Sequence, residues 1–138
     1  MNKKLGWLCI TVAVVLCVSF FIWRNRTIYV ADIIDFDNIT KVEIWRNDKC
    51  LTLTEKGDIK EFTDILDSMK LKKRLNPNKD GFVFSIDIYY ENNNESWLVL
   101  FKNIVIDGQY YRCDRDYCND MGKLYERFSD KLSGQTHE

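Results

Sequence analysis

The pattern of apolar and polar residues changes character along the chain. Leu5–Trp23 is one apolar run with no charged residue. At ~1.5 Å per residue, a helix over it nearly matches the ~30 Å hydrocarbon core of a bilayer. It has no polar face, which argues against a buried amphipathic helix. From about residue 38 the period shortens to two. Val42 and Ile44 alternate with Lys41, Glu43 and Trp45, and Leu51 and Leu53 alternate within Cys50–Thr54. Arg46-Asn47-Asp48-Lys49 separates the two segments, so they predict a hairpin.

The period then lengthens. Ile59, Phe62, Ile65, Leu66 and Met69 recur at helical spacing. They predict an amphipathic helix capped by Asp58, whose carboxylate would accept from first-turn amides. Lys70, Lys72, Lys73 and Arg74 follow, and they suit the negative end of a helix dipole. A phosphate or anionic-lipid patch is the functional alternative for this basic run. A solvated helix end is the simpler account.

After the loop Asn76–Gly81, alternation returns. Phe82, Phe84, Ile86, Ile88 and Tyr90 share one face of a long strand. Asn92-Asn93-Asn94 turns the chain. Trp97–Phe101 is nearly continuously apolar, which suits a central strand. Lys102-Asn103 and Asp107-Gly108 punctuate two short strands, Ile104–Ile106 and Gln109–Cys113. Asp-Gly is a strong hairpin signal, because both residues tolerate the positive φ of a type I′ turn. Met121, Leu124, Tyr125, Phe128 and Leu132 mark a last helix over about 119–132.

The predicted order after the apolar run is β-β-α-β-β-β-β-α. Hairpin-linked strands demand an antiparallel sheet, and two helices with one apolar stripe each would cover one face of it. The expected fold is therefore α+β: an N-terminal transmembrane helix, then a curved antiparallel sheet backed by two helices. The segments divide as a basic head and anchor (1–26), a juxtamembrane connector (27–37), a domain (38–132) and a flexible tail (133–138). Ile33, Ile34 and Phe36 of the connector are candidates to dock on the domain.

Topology changes the picture of the apolar run. A cleaved signal would have a shorter core and small residues before the cut. Tyr29-Val30-Ala31 puts a ring where a small residue is wanted, and Cys9 and Cys17 follow leucines, so no lipobox is present. An uncleaved anchor is favoured, with Trp7 near one interface and Trp23, Arg24 and Arg26 at the other. Flanking charges nearly balance. The short basic N-terminus with Lys3 and Lys4 places the head in the cytoplasm and the domain outside, in a single-pass cell-membrane protein.

Charge removes one class of partner. The chain has 20 Lys and Arg against 21 Asp and Glu. Four of the basic residues and none of the acidic ones lie within 1–26, which leaves 16 against 21 outside and a charge of −5 there. An acidic domain is a poor partner for nucleic acid, whose binding needs phosphate neutralisation.

The anchor, the opening Ile39-Thr40-Lys41-Val42-Glu43-Ile44 strand, the helix, the meander and the Asp107-Gly108-Gln109-Tyr110-Tyr111 hairpin carry a resemblance. Over about residues 36–132 the chain resembles small membrane- or lipid-anchored extracytoplasmic proteins of low-GC Gram-positive bacteria, whose function is unknown. Their domain is similar in layout to one repeat of the TATA-box-binding-protein fold. The resemblance implies fold and compartment. It carries no functional residue over, and the missing lipobox is a departure from it.

Candidate chemistry is sparse. Asn76, Asn78, Asp80, Gly81 and Asp87 mimic the spacing of an EF-hand loop. Pro77 intrudes, the first ligand is Asn, the last is Asp, and a strand pattern follows, so a plain loop is the better reading. Asp114, Asp116 and Asp120 cluster where helix capping accounts for them. His137 is the single histidine and lies in the tail. No nucleophile, acid–base pair, metal or cofactor set emerges, and no enzyme is implied. Three glycosylation-like triplets, at Asn25, Asn38 and Asn94, are the chance yield of an Asn-rich chain.

Two surface features remain. Trp45 and Tyr89 sit at alternate positions to the apolar face and would share the open side of the sheet, a candidate contact face. The connector or the membrane surface could equally cover that face. Cys113 and Cys118, separated by a short turn, are a candidate disulfide outside the cytoplasm. Pairing of Cys50 with either is the alternative, and a three-thiol zinc site is a weaker one. The function expected is a binding or regulatory module for a protein or cell-envelope partner. The alternative is a ligand sensor or inhibitor domain with a small-molecule pocket between sheet and helices.

Overall fold

The structure is a computed structural model that describes residues 2–75 and 83–135. Helix α1 (Lys3–Asn25) contains the apolar run and has no buried residue. At 23 residues it is roughly 34 Å long, long and apolar enough to cross a membrane. Its large side chains point outward, Trp7 and Phe21 among them.

The chain then enters a single eight-stranded antiparallel sheet. The strands are β1 (Ile28–Tyr29), β2 (Ile39–Arg46), β3 (Lys49–Leu53), β4 (Lys70–Lys73), β5 (Phe84–Tyr90), β6 (Glu95–Leu100), β7 (Ile104–Ile106) and β8 (Gln109–Cys113). Their spatial order is β1-β4-β8-β7-β6-β5-β2-β3. Helix α2 (Lys56–Asp67) links the edge strand β3 to β4 near the opposite edge, and α3 (Cys118–Gln135) follows β8. The α+β architecture agrees with the sequence pattern. Two strands, β1 and β4, were not expected from it.

The largest difference falls at Lys70–Arg74. The pattern predicts a basic helix end there, but α2 stops at Asp67 and the chain becomes strand β4. Leu71 decides this. It is fully buried, opposite Cys113 on β8 and Ile28 on β1. Burial of that side chain outweighs the weak strand propensity of the lysines around it. The start of α2 also differs. Glu55 is the N-cap but its side chain caps no first-turn amide, and Asp58 in the first turn accepts from Lys131 on α3 at 3.1 Å. Helix α3 runs past Ser133, where a tail was expected. The loop Asn76–Gly81 and Phe82 lie outside the described residues, as does His137.

One cluster of buried residues joins the inner side of the sheet to both helices. Leu51, Ile44, Ile86, Leu98 and Ile106 stand in register across five strands and are nearly inaccessible. Phe62 and Leu66 of α2 and Met121 and Leu124 of α3 close over them. The connector joins the same side. Val30 and Ile34 are buried, Ile33 and Phe36 are partly so, and the 3-10 turn Val30–Asp32 meets α2. The connector therefore does not use these residues to cover the outer face. The turns follow their chemistry: Asn47, Asn93, Asp107 and Gly108 all take positive φ.

Tyr117 fastens three elements at the head of α3. Its ring is 1% exposed. Its hydroxyl donates to Asp114 Oδ1 at 2.6 Å and lies 3.1 Å from the Ser68 carbonyl at the end of α2. The Asp114 carboxylate also accepts from the Lys70 amide at the start of β4. Burial opposes ionisation of Asp114, but these hydrogen bonds outweigh it and hold its carboxyl below the usual range. Burial, then the bond to Asp114, pushes the Tyr117 phenol up to about 12.

A raised pKa favours the protonated form in the folded state. Its contribution is complete below the unfolded value, 10.0 for Tyr117, and is lost as pH climbs through about 12. Near-UV circular dichroism melts should show Tm falling over that window. Tyr117→Phe should cost about 1–2 kcal/mol at neutral pH and flatten part of the alkaline slope. An unchanged alkaline profile in the variant would refute this role.

Candidate functional site

Both helices of the domain lie on one side, so among the described residues alternate strand residues face outward with no helix over them. The outer face runs in register from β2 to β8 as Trp45, Ser85, Val99, Val105 and Tyr110. Phe101 stacks on Tyr110 with ring centroids 6.0 Å apart and buries much of that ring. The next row is Thr52, Glu43, Asp87 and Trp97, and beyond it stand Lys41, Tyr89 and Glu95. An apolar and aromatic stripe thus borders an acidic one.

Two tryptophans dominate this face. Trp45 is 39% exposed and Trp97 46% exposed. Trp97 is held from below by the tight turn between β7 and β8. Its amide donates to Asp107 Oδ1 at 2.9 Å, and its carbonyl accepts from the Asp107 amide at 2.9 Å. A Cβ at Gly108 would meet the indole at 3.9 Å, and the φ of +85° there favours glycine. The turn chemistry therefore fixes the position of an exposed ring.

The acidic row is organised by pairs. Lys41 Nζ lies 3.0 Å from Glu43 Oε1 and 4.2 Å from the centre of the Tyr89 ring. The Tyr89 hydroxyl donates to Glu43 Oε2 at 3.2 Å. Asp87 sits beside them. Partial burial, then repulsion from Glu43 and Glu95, raises its carboxyl above the ordinary value despite a hydrogen bond from Trp45. Aromatic surface next to carboxylate acceptors offers stacking and hydrogen bonding.

Trp45 and Tyr89, singled out from alternation, do share the outer face. They are not brought together: Trp45 pairs with Ser85 and Tyr89 with Lys41, four residues apart along β5. Trp97 completes the surface and was missed. Trp97–Phe101 reads as a strand apolar on both sides, and such a run suggests burial on both. Its signal was the alternation itself, since Ser96, Leu98 and Leu100 face inward.

The remaining candidates are quickly placed. Of the EF-hand mimic only Asp87 is described, on β5. Asp114 and Asp116 serve the α3 start, Asp116 accepting from the Cys118 amide at 2.9 Å, and Asp120 pairs with Arg115. Among the described residues no group of three or more His, Cys, Asp and Glu could hold a metal ion. A cleft of about 920 Å³ lies at the end of the sheet, lined by Ile33, Asp35, Asn38, Tyr90, Asn92 and Ser96 among others. No protein family, curated protein or solved structure matches the chain.

All five cysteines carry free thiols, Cys113 and Cys118 included. Cys113 is buried at the end of β8, and Cys118 opens α3 with its thiol donating to the Phe101 carbonyl at 3.1 Å. Burial pushes both thiols up to about 12, aided by the carboxylates of Asp114 at Cys113 and Asp116 at Cys118. Burial also raises Cys50, but that thiol is exposed. Iodoacetamide should label Cys50 at least about tenfold faster than Cys113 or Cys118 in the folded chain, because thiolate fraction and access both favour it. Peptide mass mapping after a timed quench reads the rates. Equal labelling of the three would refute the burial argument, and a Cys113–Cys118 peptide in the unreduced map would establish the bridge.

Proposed function

We propose that this chain is a single-pass membrane protein that displays its α+β domain outside the cytoplasm as a binding or regulatory module for a protein or cell-envelope partner. The observation that carries the reading is the one-sided cover of the sheet. Helices and connector seal the inner face, while Trp45 and Trp97 stand exposed beside Glu43, Asp87 and Glu95 on the outer one. Exposed aromatic surface of this kind suits a contact site. Helix α1 supports the anchor, and the resemblance to extracytoplasmic Gram-positive proteins with a single TATA-binding-protein-like repeat supports the compartment.

A ligand sensor or inhibitor domain is the second reading. Between sheet and helices the space is taken by fully buried side chains such as Phe62, Phe84, Leu66 and Met69. The cleft beside Tyr90 is the roomier place for a small molecule.

Protease added to intact cells should digest the domain and spare a membrane-embedded fragment containing α1. Full protection would reverse the orientation, and a soluble mature domain would remove the anchor. For the contact face, a photo-crosslinking residue at position 97 should yield one stoichiometric adduct in intact cells, and one at position 123 on α3 none. Trp45→Ser and Tyr89→Ser should leave the fold intact, within about 1 kcal/mol, and weaken the adduct. Adduct formation insensitive to these changes would move the contact site elsewhere.

A further inference from the structure

The outer face changes sign toward the membrane helix. On β4 and β8, Lys72 and Arg112 stand directly opposite each other on the outer side. Like charges so placed destabilise a sheet unless a counter-charge lies over them. Neither makes an ion pair among the described residues. Arg74 continues this side of β4, and its guanidinium donates to the Arg24 carbonyl at 3.0 Å. Lys73 places its ammonium 5.2 Å from the centre of the Trp23 ring. These two contacts tie the basic strand to the last turn of α1.

Clefts open on either side of this ridge. One of about 580 Å³ is lined by Arg24, Arg74, Lys102 and Arg112 among others, and one of about 360 Å³ by Thr27, Lys70, Lys72, Arg74 and Arg112 among others. Asp114 borders both and Asp116 the first. Asp114 Oδ1 accepts from Tyr117 and the Lys70 amide, Asp116 Oδ1 accepts from the Cys118 amide, and neither carboxylate forms an ion pair with these cations among the described residues. The domain beyond residue 26 is acidic overall, yet Lys70, Lys72, Arg74, Lys102 and Arg112 gather around these two clefts.

We propose that the basic surface of β4 and β8, set against the end of α1, binds the anionic headgroups of the bilayer that α1 spans. The inference rests on reading α1 as an anchor. Trp23 and Arg24 then lie at the interface, and Arg74 and Lys73, in contact with them, lie at headgroup depth. Lipid phosphates supply the counter-charge that the Lys72–Arg112 pair lacks, in the region where basic residues near a membrane gain most.

The test uses the full chain in nanodiscs of phosphatidylcholine, with or without phosphatidylglycerol. A neutral amine-acetylating reagent is applied and each lysine is quantified by peptide mapping, with Lys49 on the far edge strand as reference. With phosphatidylglycerol, acetylation of Lys70 and Lys72 relative to Lys49 should fall at least about threefold and recover in roughly 0.5 M salt. Arg112→Gln, checked for folding by circular dichroism, should weaken the protection. Equal ratios in the two discs would overturn the proposal even though the chain is inserted. Equal protection by inorganic phosphate in phosphatidylcholine discs would overturn the assignment to lipid. A chain that enters neither disc would overturn the anchor and this surface together.

Discussion

Burial of one side of the sheet is the constraint on which everything else depends. Leu51, Ile44, Ile86, Leu98 and Ile106 form a continuous row only if five strands keep one register. Because side chains alternate with a period of two, a slip of one residue in any strand would send its apolar set to the outside. The helices then have a single place to go. Phe62 and Leu66 of α2, and Met121, Leu124 and Phe128 of α3, must land on that row. Surface ion pairs such as Lys131–Asp58 and Arg127–Glu61 join the helices at their exposed sides but are worth little in water.

The parts of this arrangement that were legible are those with a strong period. The long strand through Ile86 and Ile88, the Asp107-Gly108 turn and the apolar stripes of α2 and α3 all carry repeated signals. Strand β4 has only Leu71 to speak for it, among lysines that suit a helix end equally well. Its identity depends on partners from β1 and β8, remote in sequence, and a local pattern cannot hold that information. Trp97 illustrates the opposite failure. A run that is apolar on both sides suggests burial on both, yet the number of helices decides which side is covered. Two helices are enough for one face, so the residual apolar residues appear outside.

Strand β4 also joins the domain to the N-terminal helix. Ile28 reaches it right after the helix ends, through its pairing with Leu71. The Arg74 guanidinium reaches back to the Arg24 carbonyl. Asp114 accepts from the Lys70 amide and thereby ties the same strand to the head of α3. The connector is thus short and pinned on the core side by Val30 and Ile34. A domain held this way keeps a defined orientation to the helix, instead of swinging on a flexible linker.

That orientation separates two incompatible surfaces. The basic ridge lies on β4 and β8, next to the helix. The carboxylates of Glu43, Asp87 and Glu95 lie on β2, β5 and β6, farther along the strand order. Adjacent strands are about 4.8 Å apart, so β6 is about 10 Å from β8, the nearer strand of the ridge, and β2 is about 19 Å from it. The Debye length at physiological salt is about 8 Å. An anionic membrane surface at the ridge would therefore be largely screened at the acidic stripe, and its repulsion would not oppose docking. One sheet face thus holds a mostly cationic end beside α1 and an aromatic, mostly acidic end away from it.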